Sequence, residues 1–157
     1  MTARLDYKSL SPDGYRAMMA LNTFAESSGI EHSLLELIKI RASQINGCAY
    51  CLDMHAIDAR AAGESEQRIV LLDAWREAAR LYSDRERAAL AWTEAVTLVS
   101  RTHVPDDVYD EARRHFSEEE LVKLTWAVVV INGWNRIAVA FRSEPGKYQG
   151  RRAPARP

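Results

Sequence analysis

The chain has two cysteines in 157 residues. They stand three apart, at Cys48 and Cys51, and His55 follows one helical turn later. At roughly 100° per residue, Cys48, Cys51 and His55 fall at about 0°, 300° and 340°, on one face of a helix. The stretch from Cys48 to Ala62 reads as that helix: Asn46-Gly47 marks a turn before it and Gly63 closes it. The thiols then sit in a first turn, where unpaired N–H groups and the positive end of the dipole favour a thiolate. Lowering a thiol pKa from its usual value of about 8.5 makes the sulfur a nucleophile. His55 supplies an acid/base group beside it, and Asp58 reads first as a surface carboxylate, with orienting the imidazole as the alternative. A redox pair is one reading. The others are two buried structural thiols and a zinc site built from Cys48, Cys51, His55 and Glu36 or His32.

Punctuation along the chain defines the elements that must position these groups. Strand signals are almost absent, and helix starts are frequent. Ser11-Pro12 opens a first helix reaching Gly29, and Ser33-Leu34-Leu35-Glu36 has capping-box spacing for a second that ends near Asn46. Beyond the cysteine helix, Ser65 starts another that bends before Trp75. Ser83 opens a long helix to about Ser100, Pro105 a short amphipathic one ending near Phe116, and Ser117 the apolar run to about Phe141. Trp75, Trp92, Trp126 and Trp134 suit core-facing positions, and His32, His103 and His115 suit the surface. The expected architecture is all-α: a single domain over residues 1–145 followed by a mobile basic tail, 146–157. The last helix is apolar around most of its circumference, as expected of a central helix or of one shared between subunits. Asn132 and Asn135 within it need partners, across a subunit interface or in a pocket.

Charge is nearly balanced, 21 basic against 22 acidic residues, which gives no broad case for binding nucleic acid or a membrane surface. The first ten residues lack a signal-peptide core, and Asn132, Asn135 and Arg136 interrupt the most apolar run. A cytoplasmic protein is expected, and in that compartment a lone Cys pair is more often catalytic or metal-binding than a structural clip. Glu36 has two readings: a cap residue returning a hydrogen bond to Ser33, or a buried carboxylate. Lys39 and Arg41 read first as solvated helix charges, with an anion-attracting role near a thiolate as the alternative.

Glu36, then Lys39-Ile40-Arg41-Ala42-Ser43-Gln44-Ile45-Asn46, then Cys48-Ala49-Tyr50-Cys51 and His55 together resemble the core motif of alkylhydroperoxidase D-like proteins, within the carboxymuconolactone decarboxylase superfamily. Weaker similarity extends to Asn132-Gly133-Trp134-Asn135-Arg136, so the resemblance covers roughly residues 5–145. It implies an alkylhydroperoxidase D-like helical bundle and a cofactor-free, thiol-dependent peroxidase or disulfide reductase without a metal. Cys48 and Cys51 become its redox-active pair, with Cys51 meeting peroxide first. His55 becomes the histidine of the active-site helix, and Glu36 the carboxylate that begins a proton relay. Some peroxidase members carry histidine at the position of Tyr50. Tyrosine, with an ordinary pKa of about 10, donates a hydrogen bond but is a poor base. The implied partners are a peroxide substrate, an external dithiol reductant and further copies of the chain, as a trimer or hexamer. A thiol-free decarboxylase and a non-catalytic redox-sensing or assembly subunit are the rival readings.

Overall fold

The computed structural model describes residues 2–150. Its element order is α1 (Tyr7–Leu10), α2 (Pro12–Glu26), α3 (His32–Ile45), α4 (Ala49–Ala61), α5 (Glu66–Leu71), α6 (Asp84–Thr97), α7 (Val99–Thr102), α8 (Asp106–His115) and α9 (Glu118–Phe141). Two short 3₁₀ turns, Leu72–Ala74 and Ala79–Leu81, link α5 to α6. No strand occurs among the described residues. The all-α expectation therefore holds, and most helix starts lie within a residue or two of the expected positions.

Two of the three capping boxes form. Ser83 and Ser117 each accept from the backbone N–H three residues on, while Glu86 and Glu120 accept from the cap residues' own N–H groups. The third does not. The cap position of α3 is Glu31, and no side chain closes it. Glu36 is turned into the protein, where tertiary partners outcompete the cap. The first long helix stops at Glu26, short of Gly29. The helix opened by Ser83 breaks at Leu98, and Thr102 bonds back to the Ala95 carbonyl beyond the break.

Helices α3 and α9 form the middle of the bundle. α3 packs on α4, α6 and α9, and α9 also lies along α2 and α6. Leu35, Ile38, Leu124, Val128 and their neighbours make one core cluster. Leu37, Ile40, Leu72, Trp75 and Leu90 make a second on the other side of α3. By length and composition α9 is apolar enough to cross a membrane. In the bundle it is a core helix whose buried face carries Asn132 and Asn135. Trp126 departs from the core-facing expectation: it is 44% exposed, beside exposed Val122 and Val129 one turn either way.

The C-terminal segment follows a sharp turn. Arg142, in the left-handed region at φ 56°, ends α9 and turns the chain back on itself. Residues 146–150 of the expected mobile tail lie along α4, while residues 151–157 fall outside the described residues.

Candidate active site

The site begins as a joint between two helices. At the end of α3 the Gly47 N–H bonds to the Gln44 carbonyl and the Cys48 N–H to the Ser43 carbonyl, a Schellman motif with Gly47 at φ 63°. Only glycine or asparagine adopts that conformation cheaply, so Asn46-Gly47 fixes the turn. The residue that completes this motif, Cys48, is also the N-cap of α4. Cys48 therefore precedes the first helical turn that the spacing placed it in, and its backbone is extended (φ −89°, ψ 91°). Cys51 is in that turn, and its Sγ lies 2.9 Å from that of Cys48. Both thiols are free and buried, 2% and 1% exposed.

At this separation the pair shares a proton, and the surroundings decide which sulfur carries the charge. Cys48 is lowered to about 7, first by the hydrogen bond with Cys51. Burial opposes this, and the backbone N–H groups of Cys51 and Tyr50 and the Asn135 amide overcome it. These N–H groups close no formal cap bond to the thiol, yet they point the positive end of the helix at the sulfur that would hold the charge. Cys51 is pushed well up, by the same sulfur–sulfur bond seen from the donor's side, by burial and by the charge on Cys48. Once the pair has lost one proton, the charge therefore falls on Cys48 and the remaining proton on Cys51.

The two sulfurs face different openings. Cys51 and His55 line a cavity of about 240 Å³ together with Tyr7, Tyr15, Tyr50 and Trp134. Cys48 borders a separate groove of about 350 Å³, walled by Ala138, Arg142 and Pro145. Tyr50 and Ala138 stand between the two openings.

Behind the thiols, α3 and α4 clasp a buried polar chain. His55 Nδ1 lies 2.8 Å from Glu36 Oε2, and because an ionised carboxylate only accepts, Nδ1 carries the proton of that bond. Lys39 Nζ donates to Glu36 Oε1 at 3.0 Å and also to Glu26. Burial alone would raise the Glu36 pKa. The hydrogen bonds and charges of His55 and Lys39 overcome it and hold the carboxyl at about 2. Lys39 is therefore no solvated charge, and its ammonium is committed to carboxylates rather than to a thiol. Arg41 is likewise engaged, with Glu94 (2.7 Å), Gln44 and Asp73. Asp58 is buried, with an oxygen within 4.8 Å of ligand-capable atoms of both Glu36 and His55. His55 bonds to Glu36 and to neither thiol, so direct hydrogen bonding to Cys51 does not form in this resting geometry.

A zinc ion held by the thiols and His55 is not supported, since Cys48 and Cys51 appear in none of the clusters of metal-capable side chains among the described residues. The cluster of Glu36, His55 and Asp58 is already cross-linked by Lys39 and by Tyr148.

The spacing argument left several site residues unseen. Asn46 Nδ2 donates to Asn132 Oδ1 (3.0 Å) and Asn135 Oδ1 (2.9 Å), and Asn135 Nδ2 donates to Ser43 Oγ at 3.0 Å. The asparagines of α9 thus find partners within the chain, and Asn135 carries this network to the sulfurs. Tyr7, Tyr15, Trp134 and Tyr148 are the aromatic residues that line the cavity beside Tyr50. Asn135 had a signal, an amide in an apolar helix. Tyr148 had none.

Nine α-helices among the described residues, bundled to present a reduced Cys-x-x-Cys at a helix joint and backed by a buried Glu–His pair, define an alkylhydroperoxidase D-like protein. Residues 12–95 match the carboxymuconolactone decarboxylase family, and the chain belongs to it. It is 46% identical over 141 residues to the uncharacterised protein YdfG of Bacillus subtilis (strain 168), covering 90% of this chain and 95% of the relative. A crystal structure from Agrobacterium tumefaciens, of a protein of unknown function proposed to be the antioxidant defence protein AhpD, superposes with a TM-score of 0.90. It is 49% identical and covers 94% of this chain and 100% of that one. The debrominase Bmp8 shares the fold at a TM-score of 0.75 and 22% identity, over 88% of this chain and 74% of its own.

Proposed function

We propose that this protein is a cofactor-free, thiol-dependent peroxidase that reduces hydroperoxides through a Cys48–Cys51 dithiol/disulfide cycle. The observation that carries the reading is the pair of reduced sulfurs 2.9 Å apart, one stabilised as a thiolate and the other facing a cavity shared with His55. Family membership and the antioxidant designation proposed for the Agrobacterium tumefaciens relative support it.

In this cycle the shared proton moves from Cys51 to Cys48, which places the negative charge on the sulfur facing the cavity. The Cys51 thiolate attacks one oxygen of ROOH, and the O–O bond breaks. Cys51 becomes a sulfenic acid, and RO⁻ takes a proton from the His55 imidazolium, whose charge Glu36 stabilises. Cys48 then attacks the sulfenic sulfur, and its proton leaves with the hydroxyl as water. The sum is ROOH plus two thiols giving ROH, water and a disulfide. An external dithiol closes the cycle by attacking Cys51 and expelling Cys48, whose lower pKa makes it the better leaving group. Tyr50 borders the cavity as a hydrogen-bond donor in place of a histidine base, and burial raises its phenol further above neutrality. A decarboxylase reading leaves the thiol pair without a task.

The test uses single serine variants. Cys48→Ser should still form a dimedone-trappable sulfenic acid on Cys51, without sustaining turnover. Cys51→Ser should form little and turn over nothing. Peroxide-dependent oxidation of a dithiol that persists in both variants would sink the reading. Labelling on Cys48 alone would reverse the two roles. The exposed row Val122, Trp126 and Val129 on α9 supports assembly of several copies, for which the family resemblance implies a trimer or hexamer, and light scattering that returns a lone chain at micromolar concentration would rule assembly out.

A further inference from the structure

We propose that residues 143–150 form a strap that sets which oxidants reach Cys51, with Tyr148 as its specificity-determining residue. This rests on the peroxidase reading for the word oxidant, but the gating itself concerns access to a thiol. After α9 the chain reverses at Arg142, and the Ser143 N–H bonds to the Ala138 carbonyl. The segment that follows has no regular secondary structure and runs along α4. Two hydrogen-bonded fastenings and one close approach are seen there among the described residues. The Gly146 N–H donates to Asp53 Oδ2 at 2.7 Å. The Tyr148 hydroxyl lies 2.9 Å from both carboxylate oxygens of Asp58. Gly150, at φ 77°, lies so close to Ile57 that a Cβ there would come within 3.1 Å of the isoleucine Cγ2.

These fastenings place the Tyr148 ring in the wall of the cavity that holds Cys51 and His55. The wall is uneven in strength. Tyr15, Asn22, Met54 and Trp134 are carried by α2, α4 and α9, each held by a full set of helical hydrogen bonds. Tyr148 is carried by a short irregular segment in which Gly146, Lys147 and Gln149 are exposed. Segments with few buried apolar contacts open at the lowest local free energy. Closed, the cavity measures about 240 Å³, below the roughly 300–1,000 Å³ of sites that enclose drug-sized ligands. A small hydroperoxide enters with the strap in place, and a bulky one requires Tyr148 to move.

The experiment compares Tyr148→Ala, Tyr148→Phe and Asp53→Ala with the unaltered protein by two ratios. The first is the rate with cumene hydroperoxide over that with hydrogen peroxide. The second, independent of any peroxidase activity, is the rate of Cys51 alkylation by pyrenylmaleimide over that by N-ethylmaleimide, measured in a Cys48→Ser background. Tyr148→Ala should raise both ratios at least tenfold. Tyr148→Phe, which keeps the ring and loses the bond to Asp58, and Asp53→Ala, which loosens the other end, should raise them severalfold. Unchanged ratios in natively folded Tyr148→Ala overturn the strap, as does an equal fall in the rates of large and small reagents. Should Tyr148→Ala not fold, the two milder variants decide in its place: a severalfold rise upholds the strap and unchanged ratios overturn it. If no hydroperoxide is turned over by the unaltered protein, the peroxidase reading fails and the alkylation ratio still decides the strap.

Discussion

Two carboxylates, Glu36 and Glu94, are met by cations from the same helix, yet they do different work. Glu94 accepts from Arg41 Nε at 2.7 Å, from Trp75 Nε1 at 2.8 Å and from Arg76. Burial opposes its charge, and the bonds from Trp75, Arg76 and Arg41 overcome that and lower its pKa. None of these donors gives up a proton near neutrality. The result is a clamp that ties the stretch after α5 to α3 and α6. Glu36 accepts from Lys39 and from His55, and imidazole is the one side chain whose ordinary pKa lies within a unit of neutrality. A buried ion pair in a helical bundle is thus not in itself a mark of chemistry. What distinguishes the site is a partner able to exchange its proton next to a reactive atom.

The largest effect that separates the two is on turnover. Glu36→Gln should slow peroxide reduction by about 100- to 10,000-fold, the usual contribution of a positioned acid or base, with the fold intact by circular dichroism. Glu94→Gln should leave turnover per folded molecule within about a factor of two, in the same dithiol-oxidation assay. Equal losses in both variants would erase the distinction.

Stability should be lost in both variants. Removing the charge of Glu94 leaves Arg41, Arg76 and Trp75 short of an acceptor, and breaking a well-paired, mostly buried charge costs about 3 kcal/mol. Urea unfolding of Glu94→Gln should show that loss as a lower midpoint at unchanged slope. Acid should then act on both pairs with one sign. Folding holds Glu36 at about 2, below its ordinary carboxyl value. Its pairing therefore stabilises the protein fully above about pH 5, and that contribution is lost as pH falls from there toward 2. Unfolding midpoints measured from pH 7 to pH 3 should fall less steeply in Glu36→Gln than in the unaltered chain.

A smaller effect is expected at the sulfurs. Alkylation of the resting pair should rise with pH around 7, where Cys48 ionises, rather than around the 8.5 of a free thiol. An inflection at or above the free-thiol value would mean that burial outweighs the helix end. The smallest is at Tyr50. Restoring a base there by Tyr50→His should raise turnover severalfold, and no gain would leave Tyr50 a lining residue.

How much of the fold and site is legible in the sequence depends on how far apart in the chain the partners lie. Cys48, Cys51 and His55 fall within one stretch of helical periodicity, so their grouping follows from spacing, whereas Glu36 joins them only through the family resemblance. The cap role expected of Glu36 fails because it ignores Lys39 and His55, whose approach depends on the packing of α3 on α4. Lys39 and Arg41 read as solvated because Glu26 and Glu94, the acids that bury them, lie 13 and 53 residues away. The bond between Asp58 and Tyr148 spans 90 residues, and nothing local in either marks the other. Cys48 is misplaced by one residue for a different reason. The motif that ends α3 claims it as well as the cap of α4, and a glycine turn does not say which residue after it is helical.

That shared residue has a consequence for how this segment tolerates insertion and deletion. The elbow leaves no spare residue between the helices, so the register of α3 and that of α4 are locked to each other. One residue added between Glu36 and Asn46 would turn the carboxylate about 100° around the axis of α3, away from His55 and into one of the two apolar clusters. One residue added at Gly47 would leave either the end of α3 or the start of α4 without its sulfur-bearing terminus. Length variation should therefore be absorbed at the ends of this hairpin, before His32 and after Gly63, while the span between changes by substitution alone.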